Sequence, residues 1–370
     1  MTLSNLRKIF KVLGICLVLA YATAAGLTGS PALDASLAQA QSSGAVPGNS
    51  MGNVSDAELW RAIRKGVSGT VSLPDKKAAT LVQSEGDVLR AFRNGPQAKY
   101  GVWLLIAAIV VLAIFFMIRG RIKIGAGPSN LTIERFNALE RFTHWLTASS
   151  FIVLALTGLN VMYGKYFLPV LIGKSGFATI TYWGKLAHNY IAFAFMLGIV
   201  MMFVLWVKDN FPNKYDLGWI ATGGGMFGGS RHADTERFNF GQKVIFWTVV
   251  LGGGSLSFSG LCLMFPFEIA PFGPTFGVLK SFGVNVPTDV TALQETQLSL
   301  AWHGSMGVLM IAIIIGHIYI GSLGMEGAID AVGSGQVDLN WAREHHNVWA
   351  ARVEAEGAAS SSGAEQQPAE

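Results

Sequence analysis

Cysteine and charge are both scarce in this chain. Two of its 370 residues are cysteine, Cys16 and Cys262, too few for the four thiolates that an iron–sulfur cluster usually takes. No C-x-x-C-H occurs, which excludes a haem tethered through thioethers. Cys262 lies in an apolar stretch and reads as a small packing residue. Charged residues are 14% of the chain and hydrophobic ones 51%, against roughly 25% charged in ordinary soluble domains. That balance belongs to an integral membrane protein. A net charge of +4 gives no footing for nucleic-acid binding. The glycine-rich GGGMFGGS at 223–230 lacks the G-K-[ST] ending and the preceding strand of a phosphate loop. It reads as a flexible connection.

What the chain does have is long apolar runs. Arg7, Lys8 and Lys11 precede the first, Val12 to Leu27, and Ala38-Gln39-Ala40 offers a cleavage site. Residues 1–40 therefore read as a signal peptide. The alternative is an uncleaved anchor helix, because the apolar run ends well before Ala38. Residues 41–98 are polar and form a small translocated module. A short helix is expected from Ser55, where Ser55-x-x-Glu58 makes a capping box, and breaks are expected at Pro74, Gly86 and Gly95–Pro96. Five spanning helices come next by hydropathy, at about 101–118, 143–163, 182–207, 243–265 and 299–323. The first belongs to an extra segment, 99–123.

The basic residues set a direction. Arg119, Arg121, Lys123, Arg135 and Arg141 follow the first span, and Lys208, Lys214, Arg231, Arg237 and Lys243 lie between the third and fourth. The loop 266–298 has only Lys280, and 164–181 only Lys165 and Lys174. The positive-inside rule puts the basic segments and the C-terminus in the cytoplasm. The tail after about 354, rich in Ala, Ser, Gly and Glu, is expected to be partly disordered.

Seven histidines are sorted by this topology. His303 and His317 share the last span, fourteen residues apart, which on a helix is one face and roughly 21 Å of axis. His144 opens the second span at its cytoplasmic end, and His188 opens the third at its periplasmic end. Depth therefore pairs His144 with His317 and His188 with His303, one bis-imidazole site near each surface. Ionisable groups in a membrane are costly and usually functional. Two axial imidazoles saturate a haem iron and suit electron transfer rather than oxygen chemistry. A compact zinc site fits less well, because His303 and His317 are too far apart to share one ion. Gly158, Gly304, Gly307, Gly316 and Gly321 are placed to give a flat macrocycle room. His232, His345 and His346 lie in polar segments and are expected at the surface.

A polar run, TERFNFGQKVIFW, precedes the fourth span on the His144/His317 side. Asn239, Gly241 and Gln242 can be read as a helix start. They can equally be read as a quinone site, since amide side chains hydrogen-bond quinone carbonyls. The order ERFTHWL, LAHNYIAF, RFNFGQKVIFW, AWHGSMGVLMIAIIIGHIYIG and WAREHH closely resembles the cytochrome b (gamma) subunit of respiratory formate dehydrogenases, over about residues 133–350. The segment before it looks like the extended form of that subunit, with an extra N-terminal module.

The resemblance implies an all-α integral membrane fold, a four-helix di-haem cytochrome b bundle at 124–340 plus the extra helix, with a cytoplasmic tail at 341–370. It implies two haem b groups, one on His188 and His303 and one on His144 and His317. It places menaquinone or ubiquinone at Asn239, Gly241 and Gln242. The partners it implies are an iron–sulfur (beta) subunit and a molybdenum- or tungsten-containing catalytic (alpha) subunit. The location it implies is the bacterial inner membrane, with formate oxidised elsewhere in the complex. The nearest alternative is the cytochrome b subunit of a nickel–iron hydrogenase or another quinone-linked reductase. A transporter or a haem-free anchor is the alternative from a different class.

Overall fold

The computed structural model describes residues 84–226, 233–266 and 268–364. The expected signal peptide, most of the 41–98 module with its Ser55 capping box, and His232 lie outside the described residues. Among the described residues, five helices are long and apolar enough to cross a membrane. They are α1 (Gly86–Arg119), α2 (Ala138–Tyr166), α3 (Leu168–Asn210), α4 (Phe240–Met264) and α5 (Ala292–Gly324).

Three of the five begin at a capping box, in which a side-chain oxygen and a backbone N–H satisfy each other's end of the first turn. Asn137 pairs with Glu140 at α2, Asn239 with Gln242 at α4, and Thr291 with Gln294 at α5. Neither Gly86 nor Gly95–Pro96 interrupts α1. A π turn over Arg93–Gln97 contains Pro96; its wider ring accommodates a residue that has no N–H to give and crowds the preceding turn. The third helix starts at Leu168 rather than near 182, with a break at Gly173 (φ 74°, ψ 168°), a conformation open to glycine. Much of the expected loop 164–181 is thus helix extending beyond the apolar run.

Helices α2 to α5 form the bundle, α2 beside α3 and α4 beside α5, and α1 lies along α5 on the outside. The core between them holds Phe195, Met202, Trp206, Phe246, Leu256 and Met310. Val110, Val200, Val204, Leu251 and Phe258 are exposed, as side chains facing hydrocarbon should be. Gln97 fixes α1 by donating to the Ala301 carbonyl at 2.8 Å and to Ser305 at 3.0 Å. Gly304 makes space for that amide, since a Cβ there would lie 2.8 Å from its nitrogen. Gly304 therefore serves helix packing rather than the macrocycle clearance expected of it.

The bundle is built from a repeat. Glu134-Arg135-Phe136-Asn137 returns as Glu236-Arg237-Phe238-Asn239, each asparagine capping a spanning helix. Twenty residues after each cap come Thr157-Gly158 in α2 and Ser259-Gly260 in α4. The two arginines exchange bonds: Arg135 donates to the Arg237 carbonyl at 2.5 Å, and Arg237 to the Arg135 carbonyl at 2.8 Å. Reciprocal contacts of this kind are what a two-fold relation produces.

At the same end the C-terminal segment folds back. Strand β1 (Thr132–Glu134) pairs antiparallel with β2 (Gln336–Asp338), and Asp338 caps the helix Leu339–His345 while holding Ser129. Arg135 is buried among Phe136, Phe238, Trp341 and Trp349. Burial, then the neighbouring Arg237, lower its pKa to about 9 against the pull of Glu140, so it stays protonated at neutral pH. His346, expected at the surface, is fully buried here and its Nδ1 meets the Glu236 carbonyl at 2.9 Å; the side chain of His345 is also largely covered. The tail expected to be partly disordered is helical as far as it is described, in Asn347–Ala364, in keeping with its alanine and glutamate content; residues 365–370 lie outside the described residues.

Candidate functional site

The structure brings the four intramembrane histidines together as two pairs. His188 of α3 and His303 of α5 have ring centres 6.1 Å apart. His144 of α2 and His317 of α5 are 6.4 Å apart. Two imidazoles on opposite sides of one metal, each bonded through nitrogen at roughly 2.0 Å, put their ring centres about 6 Å apart. Both separations fit one ion between the rings. Among the described residues no group of three or more His, Cys, Asp or Glu side chains could hold a metal, so the two histidine pairs are the candidate donors.

The surroundings of the first pair decide which nitrogen is available. Thr157 Oγ1 is 2.8 Å from His188 Nδ1, and Ser259 Oγ is 3.0 Å from His303 Nδ1. Each hydroxyl also donates to a carbonyl one turn back, Thr157 to Val153 at 2.7 Å and Ser259 to Ser255 at 2.9 Å. A hydroxyl has a single proton. With that proton on the carbonyl, the hydroxyl accepts from the imidazole, which places the ring hydrogen on Nδ1 and leaves the Nε2 lone pair for a metal. The glycines beside the hydroxyls give the rings room. A Cβ on Gly158 would lie 3.6 Å from His188 Cε1, and one on Gly260 3.2 Å from His303 Cε1. Sequence reading missed Thr157, Ser259 and Gly260; their signal was the hydroxyl–glycine pair repeated at the same distance from each cap.

The second pair lacks such partners. His144 Nδ1 is buried without a hydrogen bond, and the ring meets the edge of Trp145 at 5.4 Å. The repeat explains the asymmetry. Seven residues after Asn137 comes His144, but seven after Asn239 comes Phe246. Fourteen after His303 comes His317, but fourteen after His188 comes Met202. The His188/His303 site therefore uses equivalent positions of the two halves, and the His144/His317 site uses one position from each half that the other half fills with an apolar side chain.

Asn239, Gly241 and Gln242 lie at the start of α4, at the end of the bundle that carries the basic loops. The Asn239 side-chain oxygen accepts from the Gln242 backbone at 3.0 Å, and Gln242 Oε1 accepts from Asn239 N at 3.1 Å. The helix cap thus uses both oxygens. Gly241 lies under Trp219, where a Cβ would come within 2.9 Å of the indole. Next in sequence, Lys243 is buried against Asp216, its ammonium 2.8 and 3.0 Å from the two carboxylate oxygens. Asp216 comes from the short helix Asp216–Ala221, and sequence reading did not single out this pair.

Comparison with known proteins agrees with this arrangement. The chain is 28% identical to the formate dehydrogenase cytochrome b556(fdo) subunit of Escherichia coli strain K12 over 219 residues, 59% of this chain and 92% of that protein. It is 26% identical to the nitrate-inducible formate dehydrogenase cytochrome b556(Fdn) subunit of the same strain over 224 residues, 60% of this chain and 92% of that one. To the formate dehydrogenase cytochrome b556 subunit of Haemophilus influenzae it is 22% identical over 220 residues, 59% of this chain and 82% of the relative. Residues 135–332 match the prokaryotic cytochrome b561 family. That stretch is more than half of the chain and contains both histidine pairs, and the chain belongs to the prokaryotic cytochrome b561 family.

Proposed function

We propose that this chain is the membrane-anchoring electron-transfer subunit of a formate dehydrogenase complex, holding two b haems and passing electrons to quinone. The single observation that carries the reading is the pair of imidazole–imidazole separations, 6.1 and 6.4 Å, at opposite ends of one helical bundle. His188 and His303 would hold one haem and His144 and His317 the other. Haem would supply one-electron carriage, and two histidines at each site suit electron transfer rather than oxygen chemistry. The chain's own part is to hold the rings, exclude water and fix the separation. Thr157 and Ser259 orient two of the imidazoles, and the helical rise between His303 and His317 keeps the two sites roughly 21 Å apart along the axis.

The positive-inside rule assigns the end bearing Arg135, Arg237 and the C-terminal segment to the cytoplasm of a bacterial inner membrane. On that assignment His188 and His303 lie towards the periplasm, where an iron–sulfur subunit and a molybdenum- or tungsten-containing catalytic subunit would dock. Menaquinone or ubiquinone would be reduced at the cytoplasmic end, around Asn239, Gly241 and Gln242. The amide nitrogens of Asn239 and Gln242 are the groups the helix cap leaves for that purpose. Charge would then cross the membrane inward with protons consumed on the cytoplasmic side.

Purification from the native membrane tests the reading. A b-type reduced-minus-oxidised spectrum, reduction of that absorbance by formate, and a co-purifying molybdenum or tungsten protein are expected. A nickel-containing large subunit in the complex would overturn the formate assignment, and no b-type absorbance would end the haem reading.

A further inference from the structure

The extra helix α1 does not stop at the membrane surface. Its apolar run begins at Gly101, and Tyr100 and Trp103, both exposed, form the aromatic girdle that marks the headgroup level. From there the helix continues outward to Gly86. Along the axis Arg93 stands roughly 12 Å beyond the start of the run, and Arg90 roughly 16 Å. The polar zone of one leaflet is only about 5–8 Å deep, so this end of α1 stands in water. It is seated on the bundle. Tyr163 donates to the Ala98 carbonyl at 3.1 Å and Lys165 to Asn94 Oδ1 at 3.1 Å. Gln97 donates to Ala301 and Ser305, two residues either side of His303.

Val88, 69% exposed, and Phe92 lie one turn apart on this protruding end, an apolar stripe above the reach of lipid. Basic groups surround the stripe: Arg90, Arg93, Lys99 and, from the end of α2, Lys165. Among the described residues only Arg90 has a carboxylate partner there, the exposed Asp87 at 3.0 Å. The preceding segment does not cancel the charge, since residues 41–99 hold eight Lys/Arg against five Asp/Glu. The positive-inside rule keeps basic residues this close to a span off the translocated side, so their presence answers another need. We propose that this outer face of α1 docks an acidic face of the electron-donating partner. Val88 and Phe92 form the centre of the contact, and Arg90, Arg93, Lys99 and Lys165 its rim. An apolar centre inside a polar rim is how protein interfaces are built, and opposite charges steer the approach. The proposal rests on the reading above that electrons enter at the His188/His303 end, and it names the surface on which their donor sits. Because α1 lies outside the matched stretch 135–332, the contact adds to the family's bundle rather than belonging to it.

The test uses the purified complex in detergent. Arg90→Glu combined with Arg93→Glu changes groups outside the membrane, and acidic residues on the translocated side leave insertion undisturbed. Full haem content, and haem reduction by quinol from the other end, will show that the bundle is intact. The Kd of the partner at low salt should weaken about tenfold or more, equivalent to about 1.4 kcal/mol. That gap should close as salt rises. Arg90→Lys with Arg93→Lys should hold the partner as the unmodified chain does. Val88→Ser with Phe92→Ser should weaken it by a similar factor at every salt concentration. A photoreactive phenylalanine in place of Val88 should cross-link to an acid-rich surface of the partner, as mass spectrometry of the product will locate. An unchanged Kd in both the charge-reversed and the serine variants overturns the proposal. So does a cross-link to residues 41–83 of the same chain, or loss of a bound acidic phospholipid with partner affinity unchanged. A donor that oxidises something other than formate overturns the formate reading alone, because the cross-link and the salt dependence report on docking whatever the donor oxidises.

Discussion

An imidazole held by a neighbour's hydroxyl has one of its two nitrogens committed, and that commitment tunes whatever the other nitrogen binds. Thr157→Val and Ser259→Ala each remove the acceptor of an Nδ1–H, making the ligand less basic. On the two-haem reading proposed above, both should raise the midpoint potential of a haem held by His188 and His303 on the order of tens of millivolts, the scale of one net hydrogen bond of about 1 kcal/mol. A redox titration should show the other haem unmoved. His303→Ala should remove one haem and leave its partner, seen as half the b-type absorbance. Equal loss of both from a folded protein would show that the pairs are joined otherwise. The four histidines and their pairing were readable from the chain, because helical rise and charge asymmetry put a depth on each. Thr157 and Ser259 were not. A hydroxyl in an apolar run more often bonds its own helix, which both do, and only the approach of a second helix gives it an imidazole.

Helix beginnings carry more than their caps at this end of the bundle. Glu140 closes the capping box of α2 through Oε2, while its Oε1 accepts from Trp206 at 2.8 Å and Arg237 at 2.7 Å. Asn137→Ala should cost about 1 kcal/mol, as the loss of a cap does. Glu140→Ala should cost about 3 kcal/mol, because a half-buried guanidinium and a buried indole lose their acceptor together. Thermal unfolding in detergent would rank the two, and equal losses would mean that Glu140 only caps. At α4 the same device uses Gln242. Gln242→Ala should cost no more than the α2 cap while slowing quinone reduction, with haem content full. Normal turnover would return Gln242 to capping alone. The ends of the spans were least legible in the chain. Apolar runs report where hydrocarbon lies, whereas α1 and α3 also continue as helix outside the longest runs, over 86–98 and 168–181.

At the scale of the whole molecule, the two halves of the bundle meet at the Arg135/Arg237 exchange and the C-terminal segment seals that meeting. His346 lies at its centre. Burial, then the nearby Arg135, hold its pKa well below the ordinary histidine value, against the bond to the Glu236 carbonyl. A histidine neutral in the folded state but protonated in the unfolded one favours folding at pH above about 6.5, and that contribution is lost as the pH falls below it. The protection of residues 336–350 against hydrogen exchange, relative to the unfolded chain at the same pH, should therefore fall as the pH drops below about 6.5, and His346→Phe should flatten the dependence. A profile equally steep in the variant would place the sensitivity elsewhere. A reporter fused after residue 370 should signal from the cytoplasm; a periplasmic signal would invert both haem sites and the quinone end.

By itself the sequence determined the membrane class, the five spans of the described residues and which histidines share a depth, and its basic residues support a cytoplasmic C-terminus. These depend on local composition, on a helical rise that is the same everywhere and on charges at the ends of runs. Only the tertiary structure decided which hydroxyls face which imidazoles, that Lys243 and Asp216 neutralise each other, and that His346 is buried rather than exposed. Those facts depend on contacts between residues far apart in the chain. The ERFN repeat stands between the two: it is written in the sequence, but its meaning comes from two arginines that bond each other's backbone across the bundle.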